Sequence, residues 1–418
     1  MTDLPTGLLC LPSDTDNTVS RLRHKVRLVA LKALLTANPG GLPSRMGLSL
    51  STVQRVIQSM VRSDKAAVLA AIGAPDVLNP LLVLAVGMRP PADVLRSAVP
   101  ALMASLQPSA RAVPEAILWE AEVHDVPQVH LGRTLRFSPP AKALLLDASG
   151  LEVECHDGTR IPLDGQVQHP SLQAEDTFFT LGGGGVGLHL SLHDGNPLSM
   201  DEAHPDKEGN AVSLGGRSAA EWVERLDEAL ELVALALPEW HREVSASLSR
   251  IVPVGFEPEM HLSASYREGP ELIYMTLHPD PLTMAEAIIH ETQHSKCNLL
   301  SWMDPVLDNA YTAWTESPVR PDLRPLMGVL LAVHAFVPVS ALHQRLIEID
   351  HPLSHTRRFA ERRAEVLAGN AGGLAVVQAQ GQPTQAGARV IAALSALHEH
   401  LAAGQSTVDW DEEALPPA

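Results

Sequence analysis

The sequence predicts an α+β protein, mainly helical, with a central antiparallel β module and a C-terminal helical metal-binding domain. Three observations carry this expectation. Apolar residues recur at helical spacing in the early and the late parts of the chain, short alternating stretches broken by Gly, Pro and Asp replace that period between about Ala112 and Asp206, and one late helix contains His-Glu-x-x-His. With 418 residues, 45% of them apolar, the chain can bury a sizeable core, and its length suggests more than one structural unit. The expected divisions are a helical region at 1–110, a β-rich module at 111–210, the metal-binding catalytic domain at 211–405 and a loose acidic tail at 406–418.

Taken in order, "NTVSRLRHKVRLVALKALL" carries a helical apolar stripe, and "STVQRVIQSMV" opens with Ser51 and Gln54 in a capping-box pattern. Pro90 and Pro91 break the chain before "ADVLRSAVPALMASL", the next expected helix. "AILWEAEVH", "QVHLGRTLRF" and "GLHLSLH" read as strands, with His189 and His193 on the wet face of the last. The glycine run at 182–185 lacks the Gly-Lys-Ser/Thr ending of a phosphate loop and reads as a hairpin turn. A long amphipathic helix is expected over "SAAEWVERLDEALELVALALPEWHREVSASLSRI", then two strands around a Gly-Pro turn in "HLSASYREGPELIYMTL". Three further helical stretches follow, "RPLMGVLLAVHAFVPVSALHQRLIEI", "SHTRRFAERRAEVLAGN" and "GARVIAALSALHEHLAAG".

Composition excludes some functions. Forty-nine acidic against 31 basic residues give a net charge of −18, and no Lys/Arg run could track a nucleic acid or an anionic membrane. The segment "LNPLLVLAVGM" is too short to span a bilayer, and "MTDLPTGLLCLPSDTDN" lacks the basic start and apolar core of a signal peptide. Cys10, Cys155 and Cys297 are far apart and form no CxxC pair, which argues against a disulfide framework and fits a reducing cytoplasm. The charge leaves the oligomeric state open.

The informative stretch is "AEAIIHETQHSKCNLL". Thr283 and Glu286 form a T-x-x-E capping pattern ahead of it, so His290 is expected in the second helical turn and His294 one turn later on the same face. Two imidazoles at i and i+4 can converge on one ion, the plain alternative being two surface histidines. Catalytic zinc and non-haem iron sites use three protein ligands and leave positions open. His334 is the first candidate for the third because it interrupts the apolar helix "GVLLAVHAFVPV"; the plain alternative is a core histidine bonded to a carbonyl. Glu316, Asp304, Asp308 and His343 are the further candidates, Glu316 giving a two-His-one-carboxylate set. Arg320 and Arg324 flank a Pro-Asp-Leu segment, where a rigid guanidinium fork could clamp a carboxylate or could pair with a nearby acid such as Asp322.

From about Ser263 to His343 the chain resembles a known family: the HExxH-type peptide-modification proteins of bacterial gene clusters for ribosomally made peptides, which are iron-using, 2-oxoglutarate-dependent peptide β-hydroxylases. The likeness lies in "SASYREGPELIYMTL", in "HETQHSK" and in "SPVRPDLRPLMGVLLAVHAF", which is similar to a family tract of the form PWRxDPRP; Val319 stands where that tract has Trp, and Leu323 where it has proline. The resemblance implies that His290 and His294 ligate iron(II), with His334 as third ligand, and that 2-oxoglutarate is the cosubstrate, its distal carboxylate held by Arg320 or Arg324, Arg324 favoured. It implies hydroxylation of a Cβ in a ribosomally made precursor peptide. The rival reading is a zinc metallopeptidase with Glu291 as general base, although no metzincin H-x-x-G-x-x-H continuation follows His294. A third is a peptide-binding scaffold whose metal is structural.

Overall fold

The structure, a computed structural model, describes residues 4–163, 169–182, 187–201, 203–204, 207–316 and 323–403. Its first elements are helices because their apolar residues repeat at helical spacing: α1 (Thr18–Thr36) buries Val19, Leu22, Val26, Ala30 and Leu34 along one stripe. It is followed by α2 (Ser44–Ser63), α3 (Lys65–Ile72), α4 (Pro75–Val86) and α5 (Pro91–Leu106), the last two begun by a proline in the first helical turn. The capping box expected at Ser51 is not formed. α2 begins seven residues earlier, and Gln54 donates instead to the carbonyls of Leu34 and Ala37 at the end of α1.

The β-rich stretch comprises β1 (Ile117–Trp119), β2 (Val123–Gln128), β3 (Arg133–Ala141), β4 (Ala143–Asp147), β5 (Gly150–Glu154), β6 (Arg160–Pro162), β7 (Leu172–Asp176), β8 (Phe178–Thr180), β9 (His189–Ser191), β10 (Ala203–His204) and β11 (Lys207–Glu208). Strands β1-β4-β5-β6 and β2-β3-β7 form two antiparallel sheets, as alternation predicts. Strands β8 and β9 pair as a hairpin across the glycine run, of which 183–185 lie outside the described residues. They belong to a third sheet, whose other strands follow later in the chain.

After α6 (Ala219–Ala236) the expected long helix is broken by Pro238, which opens α7 (Pro238–Ser247), and the residues assigned to its end instead form β12 (Arg250–Phe256). With β13 (Ser263–Tyr266) and β14 (Gly269–Leu277) it completes a mixed five-stranded sheet, order β13-β14-β12-β9-β8. β12 runs parallel to both neighbours, and the β13–β14 hairpin turns at Arg267 and Glu268 rather than at the Gly-Pro pair. Every residue of β14 is buried. Ile273 and Met275 face the main core, while Leu272 and Tyr274 pack with Val252 on the opposite face. The chain then forms α8 (Pro281–Ser301), the ribbon β15 (Trp314–Glu316) with β16 (Leu323–Pro325), α9 (Leu326–Glu348), α10 (Arg357–Gln380) and α11 (Gln385–Ala403). α9 is long and apolar enough to cross a membrane, a property the sequence reading did not assign it, but 78% of its most apolar window is buried inside the fold, where it packs against α8 and α10.

The N-terminal helices are tied to the sheet by buried charge. Glu271 on β14 is fully buried and accepts hydrogen bonds from Arg23 Nε (2.6 Å), Arg27 Nη2 (3.3 Å) and Ser249 Oγ (2.8 Å). Glu271→Gln leaves two guanidinium groups of α1 facing a neutral amide and is expected to destabilise the protein by about 3 kcal/mol. The check is a denaturant midpoint; an unchanged midpoint would show that this cluster contributes no net stability.

Candidate metal centre

α8 starts where Asp280 caps it: the carboxylate accepts from Leu282 N (3.0 Å) and Thr283 Oγ1 (3.2 Å), with Pro281 in the first turn. The capping box expected of Thr283 and Glu286 is therefore absent, and His290 falls in the third turn. Glu286 is buried and bonded to His343 Nε2 (2.7 Å) and Arg362 Nε (2.9 Å), and Arg362 also donates to Glu365 (3.0 Å). This pairing holds the Glu286 carboxyl below its ordinary range despite burial.

The imidazoles of His290 and His294 converge as the i, i+4 spacing predicts. Their Nε2 atoms are 2.8 Å apart and their rings meet edge to face. Glu291 joins them: the ligand atoms of the three residues all lie within 4.8 Å of one another, with a Glu291 oxygen 3.9 Å from His290 Nε2. Glu291 is 2% exposed, and its Oε2 has no hydrogen-bond partner. A buried carboxylate oxygen without a donor is costly unless a cation or proton completes it. Burial lowers the pKa of His294, so the ring is neutral and able to donate a lone pair at neutral pH. Two nitrogens bound at right angles about 2.1 Å from one ion would be about 3.0 Å apart, so the observed separation suits adjacent ligand positions. The three donors fit a divalent metal on these grounds.

α9 runs antiparallel beside α8, pairing His343 with Glu286 at one end and Phe336 with His290 further along, where the rings are 4.6 Å apart. The guanidinium of Arg362 on α10 lies over the other part of Phe336, 5.6 Å from the ring centre. The half-exposed positions of α8, His290, His294 and Asn298, therefore run alongside a matching stripe of Phe336, Ala332, Gly328 and Arg324. Continuing the pairing by one turn puts Ala332 level with His294. Gly328 lies about 6 Å further along the axis, and a Cβ there would touch Arg324 (3.8 Å to its Cβ). With only Gly328 and Ala332 between Arg324 and Phe336, the stripe has a shelf of small residues there.

His334 is placed elsewhere. Two residues from Phe336 on a helix, it points to the opposite side, is fully buried and stays outside the three-donor group. Neither ring nitrogen makes a hydrogen bond, and burial together with the nearby Lys296 and His294 pushes its pKa down to about 3. The remaining ligand candidates are also outside the group: His343 is bonded to Glu286, Asp304 accepts from Val306 N and Thr384 Oγ1, and Asp308 and Glu316 are exposed. Arg320 lies outside the described residues. The sequence reading missed Glu286, Phe336 and Arg362. The i−4 offset of Glu286 from His290 could have pointed to the first, but the other two are revealed only by how α9 and α10 pack.

Behind the site, the opposite face of α8 holds the start of the chain. Lys296 is fully buried, donating to Cys10 O (2.8 Å) and Glu243 (2.6 Å), and Gln293 Nε2 reaches both Leu9 O and His334 O, each at 3.1 Å.

No protein-family model matches this chain, and no curated protein matches it.

His334 gives a pH prediction. Its folded pKa of about 3 lies below the ordinary 6.5, so the unfolded chain binds the proton more readily. Metal-free protein should lose about 1.4 kcal/mol of stability per pH unit on this account as pH falls from 6.5 toward 3, with no contribution above 6.5. Urea midpoints between pH 7 and 4 test this against His334→Leu, in which that component of the slope should vanish.

Proposed function

We propose that the chain is a non-haem iron(II), 2-oxoglutarate-dependent oxygenase that hydroxylates a Cβ of a ribosomally made precursor peptide. The observation that carries the reading is the donor set: two imidazoles and one buried carboxylate within 4.8 Å, the combination that characterises non-haem iron(II) oxygenases. The family resemblance of the 263–343 span supports it. In this assignment Glu291 takes the place of His334 as third ligand, because it is close enough and His334 faces away.

Iron(II), when bound, would supply the redox chemistry of oxygen activation. The protein's own residues bind and orient. His290 is braced edge to face by Phe336, which keeps its Nε2 directed at His294. Arg324, on β16 at the head of the stripe and about two turns beyond the level of His294, is the described arginine assigned to the distal carboxylate of the oxo acid. Gly328 and Ala332 provide the room between them. The open side at His290 and Asn298 is where a peptide would approach.

The hydrolase reading retains one observation in its favour: Glu291 Oε2, without a partner and beside both imidazoles, is placed to take a proton from an attacking water. The two readings diverge under anaerobic titration of metal-free protein with iron(II) and 2-oxoglutarate. The oxygenase should develop a saturable visible charge-transfer band that is absent in His290→Ala; tight zinc retention without a band would overturn the oxygenase. Peptide cleavage abolished by Glu291→Gln would establish the hydrolase.

A second prediction concerns the shelf. Ala332→Phe should weaken 2-oxoglutarate binding at least about tenfold, the equivalent of about 1.4 kcal/mol, while iron(II) affinity measured without 2-oxoglutarate stays within about twofold. Equal losses of both would place the shelf outside the cosubstrate's path.

A further inference from the structure

The opposite face of the five-stranded sheet from α8 carries a second constellation, independent of the metal reading. Its floor is an ion pair out of contact with water: Arg250 on β12, 1% exposed, grips Asp76 at the start of α4 with two hydrogen bonds of 2.6 and 2.5 Å. His193 Nε2 stands 3.4 Å from the same carboxylate. His193 is not on the wet face of a strand as the alternation predicts; it lies two residues past the end of β9, in a turn pressed against α4. A Cβ at Gly195 would come within 2.6 Å of Asp76 Oδ1 and 2.9 Å of its Cα, so glycine is what lets the chain pass this close to Asp76.

Above this floor is a cavity of about 410 Å³ at the junction of α4, α5, β2 and the turn after β9. Sites for small ligands favour such junctions. Four carboxylates line it, Asp76, Asp93, Asp125 and Asp194, against Arg89 and His193. Asp76 is neutralised by Arg250, Arg89 is paired with Asp201 and the exposed Asp93 with Arg96 at 3.4 Å, which leaves Asp125 and Asp194 to make the wall acidic. Asp194 accepts from Tyr274 Oη (2.9 Å) and from Asn196 N (2.9 Å), so its carboxyl is held in a fixed orientation. Asn196, 4% exposed on the same wall, has an amide Nδ2 that makes no hydrogen bond. A buried donor without an acceptor is a cost that a ligand oxygen can remove.

We propose that this cavity binds an organic cation: a primary ammonium or guanidinium group with an oxygen acceptor beside it. Asp125 supplies the negative field at the mouth, helped by Asp93 where the exposed pair with Arg96 opens, Asp194 supplies the fixed carboxyl inside, and Asn196 the donor for the ligand oxygen. A lysine or arginine side chain of a polypeptide, a polypeptide amino terminus and a free polyamine all carry the cation; the first two carry the adjacent carbonyl as well. The polypeptide sources fit both groups of the wall, and a polyamine fits only the acids.

The test is calorimetric titration of the full-length protein with three probes, N-acetyl-lysine methylamide, alanyl-alanine amide and spermidine, with sodium butyrate as the anionic control. Saturable binding of at least one cation is expected, and the probe that binds most tightly identifies the source. Asp93, Asp125 and Ser97 are exposed at the mouth, so their substitution spares the core. Asp93→Asn and Asp125→Asn should each weaken binding about two- to fivefold, and raising salt should do the same. Ser97→Trp should abolish binding by filling the space, with an unchanged thermal midpoint. Absence of saturable binding by all three cations, equal binding of butyrate, or affinities indifferent to all three substitutions would overturn the proposal. His290→Ala should bind the probes as the parent protein does, which separates this site from the metal centre.

Discussion

Strand β14 imposes the constraint on which the rest depends. Its nine residues are all buried, so both faces of the sheet must be covered and each polar side chain in it needs a partner inside the protein. Glu271 meets this by drawing in Arg23 and Arg27 from α1, and Tyr274 by donating to Asp194. Ile273 and Met275, on the same face as Glu271, join the main core. Three residues beyond the end of β14, Asp280 caps α8. The height and rotation of His290 and His294 are thus inherited from a strand that has no freedom to slip, since a one-residue shift would turn Glu271 and Tyr274 toward the wrong face.

The sequence disclosed what depends on local periodicity. The order of helices, the antiparallel pairing in the β-rich stretch and the convergence of His290 with His294 all follow from spacings of 3.6 and 2 residues. It did not disclose what depends on packing. Both capping-box patterns failed because each helix starts earlier than the pattern, which freed Gln54 to cap another helix and Glu286 to join a buried ion pair. β12 was hidden because its residues follow an amphipathic helix without a turn signal, and because β12 pairs in parallel with partners far away in sequence. His334 stood out as a polar residue in an apolar helix, but which side of α9 faces α8's histidines is settled by Phe336, whose role has no sequence signature.

Buried cations are a recurring device in this acidic chain. Arg250 and Lys296 lie inside the fold with the acidic partners Asp76 and Glu243, while Arg362, 35% exposed, reaches in from the surface to the buried Glu286, and each links segments distant in sequence. Such pairs contribute little net stability relative to apolar packing, yet removing one partner strands a charge in a low-dielectric interior. They therefore penalise wrong docking more than they reward right docking. Most of the surplus acid is left at the surface, and part of it around the cavity beyond the sheet.

The contacts of the chain's start also set an order of events during synthesis. Arg23 waits for Glu271, Leu9 for Gln293 and Cys10 for Lys296, separations of 248, 284 and 286 residues. At a ribosomal pace of about 5–20 residues per second, α1 and the loop before it stay without these partners for roughly 12–60 s. The seating of the first segment behind α8 thus waits until residue 296 of the 418 has been made.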